Sequence, residues 1–227
     1  MKRSEINSLI EETKEFLRMN HFHLPLFAFW TPEQWAVIGH EADEIRDNLL
    51  GWDITDFGLG DFHKTGLICF TIRNGNFNNP KYQKPYSEKV LIIEEDQVTP
   101  MHFHWSKMED IIVRNGGNLL MQLYNSDKNK EMTDTPIIVS IDGIRRTYKA
   151  GEIVRLTPGE SITLTQRLYH KFWAEEGKGK VLAGEVSMVN DDEKDNFFYG
   201  GIGRFPEIEE DETPIQFLAW EYPPCGI

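Results

Sequence analysis

The chain has 227 residues, of which 40% are hydrophobic and 27% are charged, and its formal net charge is −13. This length and composition are ordinary for a soluble globular protein with a substantial core. The negative charge argues against a nucleic-acid backbone or an anionic membrane surface as the main partner, and it is easier to reconcile with a neutral small molecule.

The N-terminal pattern and the cysteine content favour a cytoplasmic location. The first residues lead into an amphipathic pattern broken by charges, not into the continuous apolar core of a signal peptide. No stretch approaches transmembrane length. Cys69 lies in an apolar run far from Cys225, so nothing indicates a disulfide framework. We expect a reduced, cytoplasmic protein.

The first fifty residues have a helical pattern. Ser4 can cap a helix whose apolar positions follow the helical period. Thr31 then begins a second helix, with Pro32 in its first turn and Gln34 at the capping-box position. The pattern predicts that this second helix continues to Leu50.

From about residue 65 the chain changes to short runs rich in β-branched and aromatic residues, separated by Gly, Asn, Asp and Pro. Asp142-Gly143 predicts a two-residue hairpin between two of these runs. The predicted strands are 67–72, 90–94, 111–114, 119–124, 137–141, 144–148, 153–156, 162–165, 172–175 and 181–189. Short strands with short connections predict an antiparallel sandwich or barrel. We expect one domain over 1–227, with a helical cover at 1–60, a β-barrel at 65–189 and a C-terminal extension at 190–227 that packs on the barrel.

A group of histidines and one glutamate indicates a metal site. His102 and His104 alternate with Phe103, so in a strand both imidazoles leave the same face of the sheet. Glu109 lies far enough beyond them for the chain to turn and offer a carboxylate to the same point. His170 can supply a fourth ligand. Three imidazoles and a carboxylate suit Mn, Fe, Co, Ni or Zn.

The same residues resemble the two motifs of the cupin superfamily. The first cupin motif contains two His, a Glu and a Gly, which match His102, His104, Glu109 and Gly116. The second contains a Pro-x-Gly-like turn that leads to a His, and here a contiguous Pro-Gly turn precedes His170. The resemblance implies a mainly β fold: a cupin-type antiparallel β-barrel or jelly roll with N-terminal helices.

Several segments resemble those of D-lyxose ketol-isomerases, a family of cupin-type sugar isomerases. The two most specific are 86–91 and 97–110, and the others are 184–187, 190–192, 195–197 and 203–212. This resemblance implies reversible conversion of D-lyxose to D-xylulose, with D-mannose to D-fructose as a second activity. It also implies a divalent metal, most often manganese, so we expect Mn²⁺.

Aldose–ketose isomerisation moves one proton between C1 and C2 and another between their oxygens. A metal can act as a Lewis acid that stabilises the enediolate, and a base must accept the carbon-bound proton. Glu185 is the first candidate for this base, because a carboxylate facing a barrel interior has little other reason to be there. Lys107 is expected to hydrogen-bond a substrate oxygen and shuttle its proton. Two alternatives stay open: Glu185 could form an ion pair inside the barrel, or Glu109 could itself serve as the base and leave Glu185 to position the substrate.

Three further charged residues are candidates for binding sugar hydroxyls: Lys89, Asp195 and Arg204. Each has a structural alternative. Lys89 could be a strand-end charge, and Asp195 and Arg204 could pair on the surface. The aromatic residues near the proposed ligands, such as Phe103 and Tyr169, are expected mainly in the core, with one or two lining the pocket.

Two other functions remain open from the sequence. An Fe²⁺-dependent dioxygenase would use the same ligands with an open position for oxygen, and a non-catalytic sugar-binding module would need no base. For the isomerase we expect a small-molecule sugar as the partner, with no nucleic acid and no membrane. We also expect a homodimer, because barrels of this kind often pair through exposed sheet edges.

Overall fold

The computed structural model describes residues 1–225. Its helices are α1 (Arg3–Met19), α2 (Pro32–Val37) and α3 (Asp43–Asp47), with 3₁₀ turns at Leu26–Phe29 and His40–Ala42. Its strands are β1 (Gly51–Thr55), β2 (Leu67–Arg73), β3 (Tyr86–Ile93), β4 (Val98–His104), β5 (Glu109–Gly116), β6 (Leu119–Ser126), β7 (Met132–Thr133), β8 (Ile137–Ile141), β9 (Ile144–Tyr148), β10 (Ile153–Leu156), β11 (Ser161–Leu164), β12 (Leu168–Ala174), β13 (Val181–Met188) and β14 (Asn196–Phe198). Among these helices, none has both the length and the apolar character needed to span a membrane.

The first helix forms as predicted, but Ser4 is not its cap. Lys2 occupies the N-cap position and makes no side-chain capping bond. Instead, the backbone N–H and the hydroxyl of Ser4 donate to the carboxylate of Asp211, at 2.9 and 2.7 Å. A carboxylate near a helix N-terminus satisfies free N–H groups and is favoured by the helix dipole. Here it comes from the far end of the chain, where a local capping pattern could not reveal it.

The second helix has the predicted start, but its predicted end is wrong. Thr31 and Gln34 form a capping box, and α2 then ends at Val37 because Ile38 is extended. Arg46 donates to the carbonyls of Ile38 and Gly39, each at 3.0 Å. These bonds satisfy carbonyls that the helix would otherwise have used, so a side chain seven to eight residues further along the chain stabilises the break.

Each of the predicted runs contains or overlaps a strand. The hairpin is confirmed: Ile141 pairs with Ile144, and both Asp142 and Gly143 have positive φ, at 50° and 77°. Such a pair is what a type I′ turn requires. The strands β1, β7 and β14 were not predicted. β1 lies within 1–60, where we expected helices, and its continuous burial gives no alternating pattern.

The strands of residues 1–225 form two antiparallel sheets that face each other. The larger has the order β1-β2-β3-β13-β5-β11-β8-β9, and the smaller has the order β10-β6-β12-β4-β14, with β7 paired to β6. Apolar side chains from both sheets form the main core, for example Val113, Leu123 and Phe172. The prediction of a mainly β, cupin-type antiparallel barrel with N-terminal helices is confirmed.

A second apolar layer lies outside the larger sheet. Ile6 and Ile10 of α1 pack in a buried cluster with Ile68, Phe70 and Ile92 of β2 and β3. Strand β2 is therefore covered on both faces, which explains why its sequence is a continuous apolar run.

The C-terminal segment contacts both α1 and β1. Glu210 and Glu221 pair with the buried Arg3 of α1, and Leu218 bridges to Trp52 of β1. The division into a cover, a barrel and an extension within one domain stays a prediction. Positions 226–227 of that extension lie outside the described residues.

Candidate functional site

Three of the predicted metal ligands meet on the inner face of the smaller sheet. His102 and His104 lie on β4, and His170 lies on the adjacent strand β12, directly opposite His102. All three are buried, and one ring nitrogen from each lies within 4.8 Å of the others. The three histidines form a group that can bind a metal ion.

Hydrogen bonds orient two of these rings. Nδ1 of His102 lies 2.7 Å from the carbonyl oxygen of Pro100, and Nδ1 of His170 lies 3.0 Å from that of Leu168. A carbonyl only accepts, so Nδ1 carries the proton and Nε2 keeps a free lone pair. Within residues 1–225, the buried Nε2 of His170 has no hydrogen-bond partner. This is the arrangement of metal-binding histidines, whose other nitrogen is fixed by a hydrogen bond.

The surroundings of His102 and His104 favour the neutral form, which a metal ligand requires. Burial lowers the pKa of His102 well below its usual value, and the neighbouring His170 and His104 lower it further. Burial also lowers the pKa of His104, and the ammonium of Lys107 adds to this effect.

Glu109 brings a carboxylate to the same point from the opposite sheet. It begins β5, and its Oε1 lies 3.3 Å from Nε2 of His104 and 3.3 Å from Nε2 of His170. Burial opposes ionisation, but Lys107 and His104 hold its pKa well below the usual range. His102, His104, Glu109 and His170 therefore provide a donor set that fits a divalent metal ion.

A buried lysine links this group to a second carboxylate. Nζ of Lys107 lies 2.7 Å from Oε2 of Glu109 and 2.8 Å from Oε1 of Glu185. Glu185 faces inward from β13: it lines the cavity, whereas the next residue, Val186, lies on the other face and is exposed. Burial opposes the charge on Lys107, but Glu109 and Glu185 outweigh this and raise its pKa. The lysine is thus a charged ammonium, which has three N–H groups. With one directed at each carboxylate, one N–H remains.

Lys89 and Arg204 reach the cavity and share a partner that the sequence reasoning missed. Nζ of Lys89 lies 3.0 Å from Oδ2 of Asp192, and Nε of Arg204 lies 3.7 Å from Oδ1 of the same residue. Burial opposes ionisation of Asp192, but Lys89 and Arg204 hold its pKa well below its usual range. Arg204 also pairs with the buried Asp53. Lys89 is only 3% exposed, so it is not a surface charge at a strand end.

The structure does not bring Asp195 to the cavity. Its carboxylate accepts hydrogen bonds from the backbone N–H groups of Ser106, at 2.7 Å, and Lys107, at 3.0 Å. It does not pair with Arg204 on the surface either, since Arg204 pairs with Asp53 and Asp192. Both aspartates lie in one acidic stretch, whose composition gave no signal that Asp192 turns inward.

The cavity between the sheets has a volume of about 40 Å³ and opens to solvent. Its aromatic lining comes from Phe57, Phe172 and Phe198, and Phe198 stacks on His102 with ring centroids 5.1 Å apart. The aromatic residues singled out from the sequence do not line it in the described part of the chain. Phe103 and Tyr169 are buried, as expected, but they pack against Phe197 instead.

Comparison with known proteins gives close relatives along the whole chain. A family model described as D-lyxose isomerase matches residues 1–222. A D-lyxose/D-mannose isomerase of Serratia proteamaculans is 48% identical over 223 residues, which cover 98% of each chain. One of Escherichia coli O157:H7 is 49% identical over 223 residues, again with 98% of each chain covered.

Solved structures with a similar fold include L-ribose isomerases. That of Cellulomonas parahominis, with L-ribose, has a TM-score of 0.61 at 14% identity and covers 92% of this chain and 98% of its own. That of Geodermatophilus obscurus has a TM-score of 0.58 at 13% identity, with coverages of 91% and 98%. At such low identity these neighbours establish the fold alone.

Proposed function

The chain belongs to the D-lyxose isomerase family and is a sugar isomerase, and from this premise we propose that it interconverts D-lyxose and D-xylulose in a metal-dependent reaction. D-Mannose and D-fructose are the proposed second pair. The observation that carries the proposal is one cavity in which the His102, His104, Glu109 and His170 donor set faces the Lys107–Glu185 pair.

The metal site is the first part of the proposal. His102, His104, Glu109 and His170 would hold a divalent ion, and we propose Mn²⁺ because nitrogen and oxygen ligands without a thiolate suit it. Such an ion supplies Lewis-acid catalysis, which acidifies the C–H bond beside the carbonyl and stabilises negative charge on the sugar oxygens. Nε2 of the buried His170 supports this assignment, because within residues 1–225 it makes no hydrogen bond and lies 3.3 Å from Oε1 of Glu109.

Glu185 is the proposed base. In the aldose-to-ketose direction its carboxylate takes the proton from C2 while the C1 carbonyl electrons move onto O1, which gives a 1,2-enediolate. The same carboxylate returns the proton to C1, and the O2 proton passes to O1, so that C2 becomes the carbonyl. The position of Glu185 supports this role, because the residue lines the cavity and is only 6% exposed. A base in such a position contributes about 10²- to 10⁴-fold to the rate.

Glu109 is the weaker candidate for the base. One of its oxygens lies 3.3 Å from two histidine nitrogens, and the other lies 2.7 Å from Lys107. Its pKa is held well below the usual range by Lys107 and His104, against the effect of burial, so it has little tendency to accept a proton. These contacts support a ligand role for Glu109 and leave the base role to Glu185.

Lys107 is proposed as a hydrogen-bond donor. Its raised pKa, which results from Glu109 and Glu185 despite burial, keeps it charged. Two of its N–H groups face those carboxylates, and the third is available to a sugar oxygen that gains negative charge during the proton transfer. The ammonium would thus assist exchange of the oxygen-bound proton without leaving the charged state.

The remaining sugar hydroxyls are assigned to the other charged side of the cavity. Lys89 and Arg204 are kept as substrate-binding residues, and Asp192 joins them because its carboxylate lies between the two. The buried charges are already paired with each other, so their geometry is fixed before the substrate arrives, which favours selective recognition of hydroxyl positions.

The proposal is tested by ketose formation from a set of aldoses that includes D-lyxose, D-mannose and L-ribose. We expect D-lyxose to give the highest kcat/KM and D-mannose to be converted more slowly. Absence of ketose from both D-lyxose and D-mannose, with protein that has been supplied with Mn²⁺, would reject the substrate assignment.

The same assay separates the rival functions. An isomerase consumes no oxygen, so uptake in an oxygen electrode would favour the Fe²⁺-dependent dioxygenase. Sugar binding without ketose formation would favour the non-catalytic module. The homodimer and the cytoplasmic location are kept as parts of the proposal, and light scattering should give twice the mass of one chain.

A further inference from the structure

A single residue, Asp195, holds the loop that joins the two sides of the site. The loop at 105–108 connects His104, the last residue of β4, to Glu109, the first residue of β5. Three successive N–H groups of this loop donate to Asp195: that of Trp105 to the backbone carbonyl, at 3.0 Å, and those of Ser106 and Lys107 to the two carboxylate oxygens.

These bonds fix the backbone from which the Lys107 side chain extends. Its ammonium must reach both Glu109 and Glu185, at 2.7 and 2.8 Å, although each comes from a different strand. The hydrogen bonds of a sheet do not hold a loop backbone, so other bonds must fix it. Its position matters because a shift of about 1 Å in a reacting group can cost about 100-fold in rate. Hydrogen bonds to a charged acceptor are stronger than those between neutral groups, so the carboxylate is suited to this task.

Asp195 is itself well anchored. Its N–H donates to the carbonyl of Asp191 at 2.9 Å. The next residue, Asn196, begins β14 and pairs with His104 of β4. The side chain of Asn196 also donates to the backbone carbonyl of Asp192, at 3.1 Å. The carboxylate of Asp195 is therefore held in a fixed relation to the strand that carries two of the proposed metal ligands.

We infer that Asp195 is a positioning residue for Lys107 and not a ligand of the sugar. It holds the backbone of the β4–β5 loop so that the ammonium stays between Glu109 and Glu185. The inference rests on the proposed function, because it assigns Asp195 a part in the reaction through Lys107.

The test is Asp195→Asn, which keeps the size of the side chain. One atom of the amide would be an NH₂ facing a backbone N–H, so at least one of the two bonds is lost. We expect kcat for D-lyxose to fall by about 10- to 100-fold, which is the usual effect of removing a residue that holds a site residue in place by hydrogen bonds. We expect KM and bound metal to change by less than about threefold, since the contacts to the sugar and to the metal remain.

Two comparisons separate positioning from a general structural role. The matched control is Glu193→Gln, an exposed carboxylate on the same turn, which should leave kcat unchanged. In a Lys107→Met background, Asp195→Asn should cause no further loss of kcat, because residues that act as a unit are not additive. An equal loss in both backgrounds, wild-type kcat in the single variant, or a parallel loss of bound metal would each overturn the inference.

Hydrogen exchange provides a readout that does not depend on catalysis. In Asp195→Asn the amides of the peptide that contains Ser106 and Lys107 should exchange about 10- to 100-fold faster, because they lose a charged acceptor. Unchanged exchange would overturn the inference. Wild-type protein that is inactive on every sugar, with faster exchange in the variant, would instead place the failure in the proposed function.

Discussion

The variant His170→Ala is expected to lose both its bound metal and its activity. His170 offers a buried Nε2 that makes no hydrogen bond within residues 1–225, and it lies close to both His102 and Glu109. Loss of this ligand should weaken metal binding by more than about 100-fold. This is more than the usual effect of losing a residue that only hydrogen-bonds to a metal ligand. The kcat for D-lyxose should fall by about 10³-fold, since Lewis-acid stabilisation is worth several kcal/mol.

Metal content by mass spectrometry and ketose formation measure the two effects separately. His63→Ala is the matched control, because the His63 side chain is 66% exposed and pairs with Glu94 outside the cavity. It should retain the wild-type metal content and rate. A His170→Ala protein that binds metal as tightly as the wild type would remove His170 from the ligand set.

The variant Glu185→Gln is expected to keep its metal and lose its turnover. The amide oxygen can still accept the hydrogen bond from Lys107, which is 2.8 Å long in the native protein, so the shape of the cavity is preserved. The variant has no carboxylate to accept the C2 proton, and loss of a general base costs about 10²- to 10⁴-fold in kcat. KM should change little, because binding of the sugar does not need this proton transfer.

Glu88→Gln is the control for this change. Glu88 precedes Lys89 on β3, faces away from the cavity and pairs with Arg73, so its kcat should stay within about twofold of the wild type. The decisive observation is kcat at saturating D-lyxose together with metal content. Wild-type kcat in Glu185→Gln would transfer the role of base to Glu109 or another group.

Local patterns in the sequence were sufficient to predict most strands of the barrel and the shared face of His102 and His104. Alternation in β4 predicted that His102 and His104 leave the same face of the sheet, because side-chain direction in a strand has a period of two, and both rings line the cavity. The hairpin at Asp142-Gly143 followed from turn chemistry in the same way. These features depend on neighbours within a few residues.

The cavity residues that the sequence did not predict are placed by contacts between distant parts of the chain. Asp192 meets Lys89 across 103 positions, and Arg204 meets Asp53 across 151. No local pattern distinguishes Asp192 from Asp195, although one enters the cavity and the other holds a loop. The early end of α2 is the exception, since the side chain that satisfies the carbonyls at the break, Arg46, is only seven to eight residues away.

The most direct test of the central claim is ketose formation from D-lyxose by protein stripped with a chelator, measured before and after Mn²⁺ is added. We expect negligible turnover in the stripped protein and recovery once about one Mn²⁺ per chain is bound. We also expect that His170→Ala does not recover at the same Mn²⁺ concentration. Full turnover by protein shown to be free of metal would contradict the account, since the donor set of His102, His104, Glu109 and His170 would then have no part in the reaction.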